Sequence, residues 1–325
     1  MIRIRHTVVT VVACGLLYAS IAPAQEKPKY TDPEKTDADF AIQGEYASTS
    51  KDGPALQVVA LGNGEFEASI YQNGLPGSSS KKEVPNRVRA KREGDSVRFA
   101  DGESSYTIDG KSASFAIAGA TSINATKIQR KSPTLGLKPP KNAKVLFDGS
   151  STDLWKNGRQ EGNLLVQGTT SKPTFGSHRL HIEFRIPYQP LDRGQGRGNS
   201  GIYVQGRYEI QMLDSFGLAG KHNECGGLYS VKDPSLNMCY PPLTWQSFDI
   251  EYTAAKFDES EKLISNPRVT VRHNGVMVHD DVELPGERST TAAPSRPGPK
   301  PGPIYLQNHG CPVRYRNIWV VELNE

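Results

Sequence analysis

The chain has 325 residues, with Lys+Arg 39 against Asp+Glu 35 and a formal net charge of +4. So small an excess excludes a dedicated nucleic-acid protein, which gathers its basic residues on one face. Hydrophobic residues at 36% are enough for a core, while 31 Gly and 23 Pro fit a turn-rich β protein better than a helical bundle and exclude a membrane transporter.

The first segment reads as an export signal. Arg3 and Arg5 precede an apolar run from Thr7 to Ile21, and Ala22-Pro23-Ala24 supplies a small-x-small site, so cleavage is expected after Ala24. The run is short for a membrane span. A rival reading, lipidation at Cys14, leaves a very short apolar core before the cysteine. The expected location is therefore periplasmic or secreted. The mature chain keeps Cys225, Cys239 and Cys311, an odd set that allows one disulfide plus a free thiol, or none; Cys225 and Cys239 could close a short bridge.

Residues 25–39 are polar and read as a leader. From 40 to 130, short β runs alternate with turns: Leu56 to Leu61 before Gly62-Asn63-Gly64, then Phe66 to Tyr71 before Asn73-Gly74. Further runs at 96–100, 105–108, 114–117 and 125–128 complete a small antiparallel meander or barrel with no catalytic constellation of its own. Residues 131–144, with Pro133, Pro139 and Pro140, read as a linker.

From 145 to 325 a second, larger series follows, with strand candidates at 181–186, 200–204, 208–213, 247–253, 268–273, 276–279, 304–307 and 314–321. Many short strands without a long 3.6-residue period predict an all-β, two-sheet jelly-roll sandwich preceded by the small β domain.

Within that series, Tyr208-Glu209-Ile210-Gln211-Met212-Leu213-Asp214 places Glu209 and Gln211 on one strand face and Ile210 and Met212 on the other. A bulge after Gln211 would bring Asp214 to the polar side, pairing two carboxyls able to divide acid and base roles. The upstream loop Arg193 to Gly201 is Gly-rich but lacks the Gly-Lys-Ser/Thr of a phosphate loop, and so suits a substrate wall. Downstream, His222, Glu224 and Tyr229 surround a Gly pair, and Gln307-Asn308-His309-Gly310 ends a β run with a His suited to general-base work.

These strings carry a resemblance. Arg197-Gly198-Asn199-Ser200-Gly201-Ile202-Tyr203, Tyr208 to Ser215, Gly227-Leu228-Tyr229, Trp245 to Asp249, His273 to Val276, and Leu306 to Gly310 with Arg316-Asn317-Ile318 occur in an order that resembles the 3-keto-disaccharide hydrolase domain family, also described as 3-keto-glucoside 1,2-lyase and 3-keto-2-hydroxy-glucal hydratase. The match opens at Leu146-Phe147-Asp148-Gly149 and runs to Leu323. The meander lies outside it and resembles an accessory domain of exported members.

The resemblance implies a concanavalin A-like fold acting on oxidised mono- or disaccharide glycosides by proton abstraction at C2, elimination and hydration. Glu209, Asp214 and His309 are then the catalytic candidates. Asn199, Ser200, Tyr203, Gln211, His222, Glu224, Tyr229, Gln307 and Arg316 are the substrate-binding ones. Asn308 stands where the family commonly has Asp, which puts the orientation of His309 in question. No cofactor is expected. A divalent cation such as Ca²⁺ leaves only weak traces in β loops and stays open; Asp148 and Asp153 are candidate ligands for it, although the turn reading of both is preferred.

Two other readings stay open. A retaining glycosidase needs two carboxyls about 5 Å apart, and Gln211 occupies the place of Asp in the laminarinase-type strand. A non-catalytic carbohydrate-binding module would not need Glu209, Asp214 and His309 to converge. The sequence is silent on oligomeric state.

Overall fold

The computed structural model describes residues 26–50, 52–78 and 83–323. The export segment and Cys14 lie outside the described residues. No helix among those described is long and apolar enough to cross a membrane. The architecture is nearly all β, an N-terminal β domain followed by a jelly-roll sandwich.

Eight strands from Gly44–Ser48 to Ile123–Ile128 form a closed antiparallel barrel in sequence order, the last pairing with the first. Period-2 patterning drives it: Val97 and Phe99, then Ala113 and Phe115, point inward while their neighbours face out. The turn Asn63-Gly64 has φ +56° and +74°, the doubly positive pair of a type I′ hairpin. Asn73-Gly74 is different, because the chain leaves the sheet after Tyr71 and returns only at the strand Asn86–Glu93. Sequence patterning missed that strand. Its inward side is lean, Val88 and Ala90, and its outward Arg87 and Arg89 pair with Glu67 of the neighbouring strand.

The barrel strand Ala55–Gly62 is buried along its whole length. Leu56, Val58 and Ala60 fill the barrel, while Val59 and Leu61 point out of it and join the sandwich core. One strand thus serves two cores.

The sandwich has a five-stranded sheet, ordered from Trp155–Lys156 through Thr169–Phe175, Gly302–Leu306 and Ser200–Val204 to Tyr208–Met212. A larger sheet faces it, containing His178–Arg185, Trp245–Thr253 and Arg314–Glu322. Ile182, Phe184, Phe248, Ile250 and Tyr315 from the larger sheet pack against Ile202, Val204, Ile210, Met212 and Leu306 from the smaller. The turn Asn274-Gly275, with φ +51° and +79°, closes a second tight hairpin.

Residues 132–137 lie on the outer face of the larger sheet rather than spanning free space. Ser132 Oγ meets Ser247 Oγ at 2.5 Å, Thr134 Oγ1 donates to Asp249 Oδ2 at 2.8 Å, and Leu137 O accepts from Trp319 Nε1 at 3.3 Å. Beneath them His181 is wholly buried, its Nδ1 2.6 Å from Asp249 Oδ1. Cys225, Cys239 and Cys311 are buried free thiols.

Candidate active site

The outer face of the smaller sheet carries a polar row read directly from strand register. Lys156 lies opposite Thr170, Thr170 opposite Tyr305, Tyr305 opposite Tyr203, and Tyr203 opposite Glu209. The Tyr229 amide donates to Glu209 O at 3.1 Å and extends the row beyond the sheet edge. In the next row Gln211 faces Gly201, and the Gln307 amide donates to Gly201 O at 2.9 Å.

Glu209 is the best-defined group. Its Oε2 accepts from the Tyr203 hydroxyl at 2.7 Å, and Gln307 Nε2 donates to that same hydroxyl oxygen at 3.1 Å. The Tyr203 hydroxyl has a second acceptor, Thr291 O at 3.1 Å, and Thr290 Oγ1 accepts the Glu209 amide at 3.0 Å. The other oxygen, Glu209 Oε1, is buried without a partner. Burial raises the Glu209 carboxyl from 4.5 to about 7, against the opposing pull of the Tyr203 bond, which favours the ionised form. Tyr203 in turn is pushed up by burial and by the Glu209 charge, so it stays a hydroxyl donor.

Gly201 explains how a carboxylate fits there. A Cβ at that position would lie 2.0 Å from Glu209 Oε1, so the carboxyl rests on the bare glycine backbone. Gln211 Nε2 donates to Asn199 Oδ1 at 3.0 Å, and Asn199 Nδ2 donates to Gln195 O at 2.8 Å. Gln211 Oε1 and Gln307 Oε1 are buried and unpartnered, like Glu209 Oε1. Three orphan acceptors therefore surround Gly201. A buried acceptor left without a donor is costly, so these three atoms are where a hydrogen-bond donor from water or a ligand would be satisfied.

Other candidates from the sequence fall elsewhere. Ser200 points inward, its hydroxyl 2.6 Å from the Tyr315 hydroxyl on the opposite sheet, and its Oγ donates to Gln307 O. Asp214 lies past the strand end, with no register shift before it, and its Oδ2 takes the Arg197 Nε at 2.6 Å in a buried ion pair. Arg316 sits on the outer face of the other sheet, bonded to Glu183 Oε2 at 2.6 Å and stacked 4.0 Å over Trp245. The sandwich core separates it from Glu209. Glu224 is consumed within its own loop, where Oε2 accepts the amides of Gly220 and Lys221. His222 is an exposed rim residue, its ring edge-on to Tyr229 with centroids 6.1 Å apart. His309 is exposed, two residues beyond Gln307. Asn308 closes its own turn by accepting the Gly310 amide at 2.9 Å. Asp148 likewise accepts from the Ser150 amide and hydroxyl, as a turn residue does.

Tyr305 and the Thr290-Thr291 pair join the site from outside the sequence-derived candidates, and Gln195 comes from the Gly-rich loop read as a substrate wall. Of those from outside, only Tyr305 could have been found, from its alternation with Ile304 and Leu306.

The buried pair of Arg197 and Asp214 makes a stability test. Removing either partner leaves an uncompensated buried charge and is expected to cost about 3–5 kcal/mol. Arg197→Met and Asp214→Asn should each lower the urea midpoint, and the double variant should lose less than the two together. Additive losses would separate Asp214 from Arg197.

Residues 142–321 match the model of the 3-keto-alpha-glucoside-1,2-lyase-like domain, more than half of the chain. The chain belongs to this family. A crystal structure of a candidate glycosyl hydrolase from Parabacteroides distasonis is 32% identical, with TM-score 0.52, over 56% of this chain and 84% of that one. A second candidate glycosyl hydrolase from the same organism is 18% identical, with TM-score 0.42, over 57% of this chain and 95% of that one. No curated protein matches. Membership in the family supports a carbohydrate-active domain.

Proposed function

We propose that the protein is an exported enzyme that cleaves 3-keto-glycosides by elimination and hydration. The observation that carries this reading is the lone carboxyl at Glu209, held near neutral by burial and flanked by orphan acceptors beside Gly201. A carbonyl at C3 acidifies the hydrogen on C2, and a base poised near pH 7 suits its removal. Glu209 takes that proton, the C1–O bond to the aglycone breaks, and a 2-hydroxy-glucal ketone remains. His309, exposed two residues beyond Gln307, is the group assigned to give a proton to the departing alcohol. Water then adds, its oxygen to C1 and its proton to His309, while Glu209 returns a proton to C2. The net change is hydrolysis. Tyr203 holds Glu209 by donating to its Oε2, and the Gln307 amide, which already donates one N–H to Tyr203, is assigned to give its other N–H to an oxygen that gains charge.

The retaining-glycosidase reading finds less support, since among the described residues the second carboxyl of that strand, Asp214, is held by Arg197. The test is to incubate the protein with a 3-keto-glucoside and with its unoxidised parent in D₂O, following products by NMR. Aglycone release from the keto sugar alone, with deuterium at C2, is expected. Cleavage of the parent would indicate a conventional glycosidase; saturable binding without turnover would leave a binding module.

A further inference from the structure

The N-terminal barrel lies outside the segment matched by the family, yet it reaches the site through its backbone. We propose that the barrel is a buttress of the sugar site, holding in place the loop 189–199 that presents Gln195 and Asn199 to Gln211. This rests on reading the Glu209–Gln211 face as the sugar site.

The contacts run in sequence from one domain to the other. Arg193 Nη2 donates to Leu61 O at 2.7 Å, and the buried Arg197 Nη1 donates to Ala60 O at 3.2 Å, both carbonyls on the barrel strand Ala55–Gly62. Val59 and Leu61 of that strand belong to the sandwich core. A Cβ at Gly62 would sit 2.4 Å from Leu191 Cδ2, so the loop is pressed onto the turn of the barrel. The next barrel strand adds Ser69 Oγ, which donates to Gly217 O at 2.6 Å just beyond Asp214. Between the two arginines the loop makes a single 3₁₀ turn over Gly194–Gly196. From that turn Gln195 reaches the Asn199 side chain, and Asn199 Oδ1 receives Gln211 Nε2.

A Gly-rich loop of this kind has little intrinsic order. Gly194 and Gly198 both hold positive φ, and each glycine loses more conformational entropy on ordering than any other residue. Its geometry therefore depends on what it is fastened to. One wall of the loop is the sandwich itself, through Asp214 N to Arg197 O, while Gly198 N to Gln189 Oε1 ties the two ends of the loop together. The other fastening is the barrel, through two carbonyl oxygens, one taken by each guanidinium, that no side-chain substitution in the barrel can remove. Arg193 and Arg197 are positioning residues, acting on substrate through Gln195 and Asn199.

The test uses the full chain with two variants that attack the contact from opposite sides. Arg193→Met removes the bond to Leu61, and Gly62→Ala displaces Leu191 from the barrel side. In the substrate-free protein, amide exchange at Gly196, Arg197 and Gly198 is expected to accelerate at least about tenfold in both, because local opening no longer breaks the barrel contact. With a 3-keto-glucoside, KM should rise about tenfold while kcat changes less than about threefold, and Arg193→Lys should recover part of the loss. Unchanged exchange in both variants would overturn the proposal, and so would faster exchange with an unchanged KM. Faster exchange when even the unaltered protein turns over no 3-keto sugar would leave the buttress standing and remove the proposed function instead.

Discussion

Glu209→Gln is expected to abolish turnover of a 3-keto-glucoside, lowering kcat by about 10²–10⁴-fold, the usual contribution of a positioned acid–base group. The same change is expected to make the protein more stable in alkaline solution. The fold favours the neutral carboxyl, which titrates at about 7 rather than 4.5, because burial penalises the charge. Stability is therefore full below the ordinary carboxyl value and declines as pH rises from there through about 7. Above that the charged group costs up to roughly 3 kcal/mol. Glutamine carries no such cost. Thermal unfolding of both forms at pH 5 and pH 8.5 checks this, with the variant gaining over the parent only at the higher pH; equal unfolding at pH 8.5 would place Glu209 in a more hydrated setting.

Activity should follow the same ionisation. The base form of Glu209 grows as pH rises through about 7, so kcat/KM should climb through that range. Tyr203→Phe removes the hydroxyl that donates to Glu209 Oε2 and favours the ionised carboxylate. The acid limb of the profile should then move to higher pH. A limb that stays in place would break the link between Tyr203 and the titrating group.

Gly201→Ala is the second large effect. The new Cβ would lie 2.0 Å from Glu209 Oε1, 2.8 Å from its Cδ and 2.9 Å from its Cγ, so the carboxyl must leave its seat on the strand. Because the obstructing atoms are the end of a flexible side chain, the fold can absorb the change. The chemistry cannot, since a displacement of about 1 Å costs around 10² in rate. Steady-state kinetics should show kcat down by about 10²-fold or more, and calorimetry should show a Tm close to that of the parent. A variant with normal kcat would mean that Glu209 works from another position.

How much of this was legible beforehand depended on the range of each signal. The alternation along Tyr208 to Met212 placed Glu209 and Gln211 together and Ile210 and Met212 in the core, because a strand's side-chain period is local. Asn63-Gly64 and Asn274-Gly275 announced their hairpins for the same reason, since few residues accept two positive φ values in succession. By contrast, Ser200 and Arg316 sit within the same family strings as Asn199 and Gln307 but face away from Glu209. Nearness in a motif says nothing about side-chain parity or about which sheet a strand joins. Ser200 alternates with Gly201 and so turns inward, while Arg316 belongs to an interior strand of the opposite sheet.

The sequence by itself determined the all-β class, the two β series and the face that Glu209 shares with Gln211, all through periodicity and turn chemistry that act over a few residues. Tertiary structure alone decided the partners of that face. Thr291 reaches Tyr203 across 88 residues and Gln307 across 104, and Asp214 was taken out of the site by Arg197. Those pairings follow from sheet order and register, which are set by burying two faces of a sandwich against each other and leave no periodic trace along the chain.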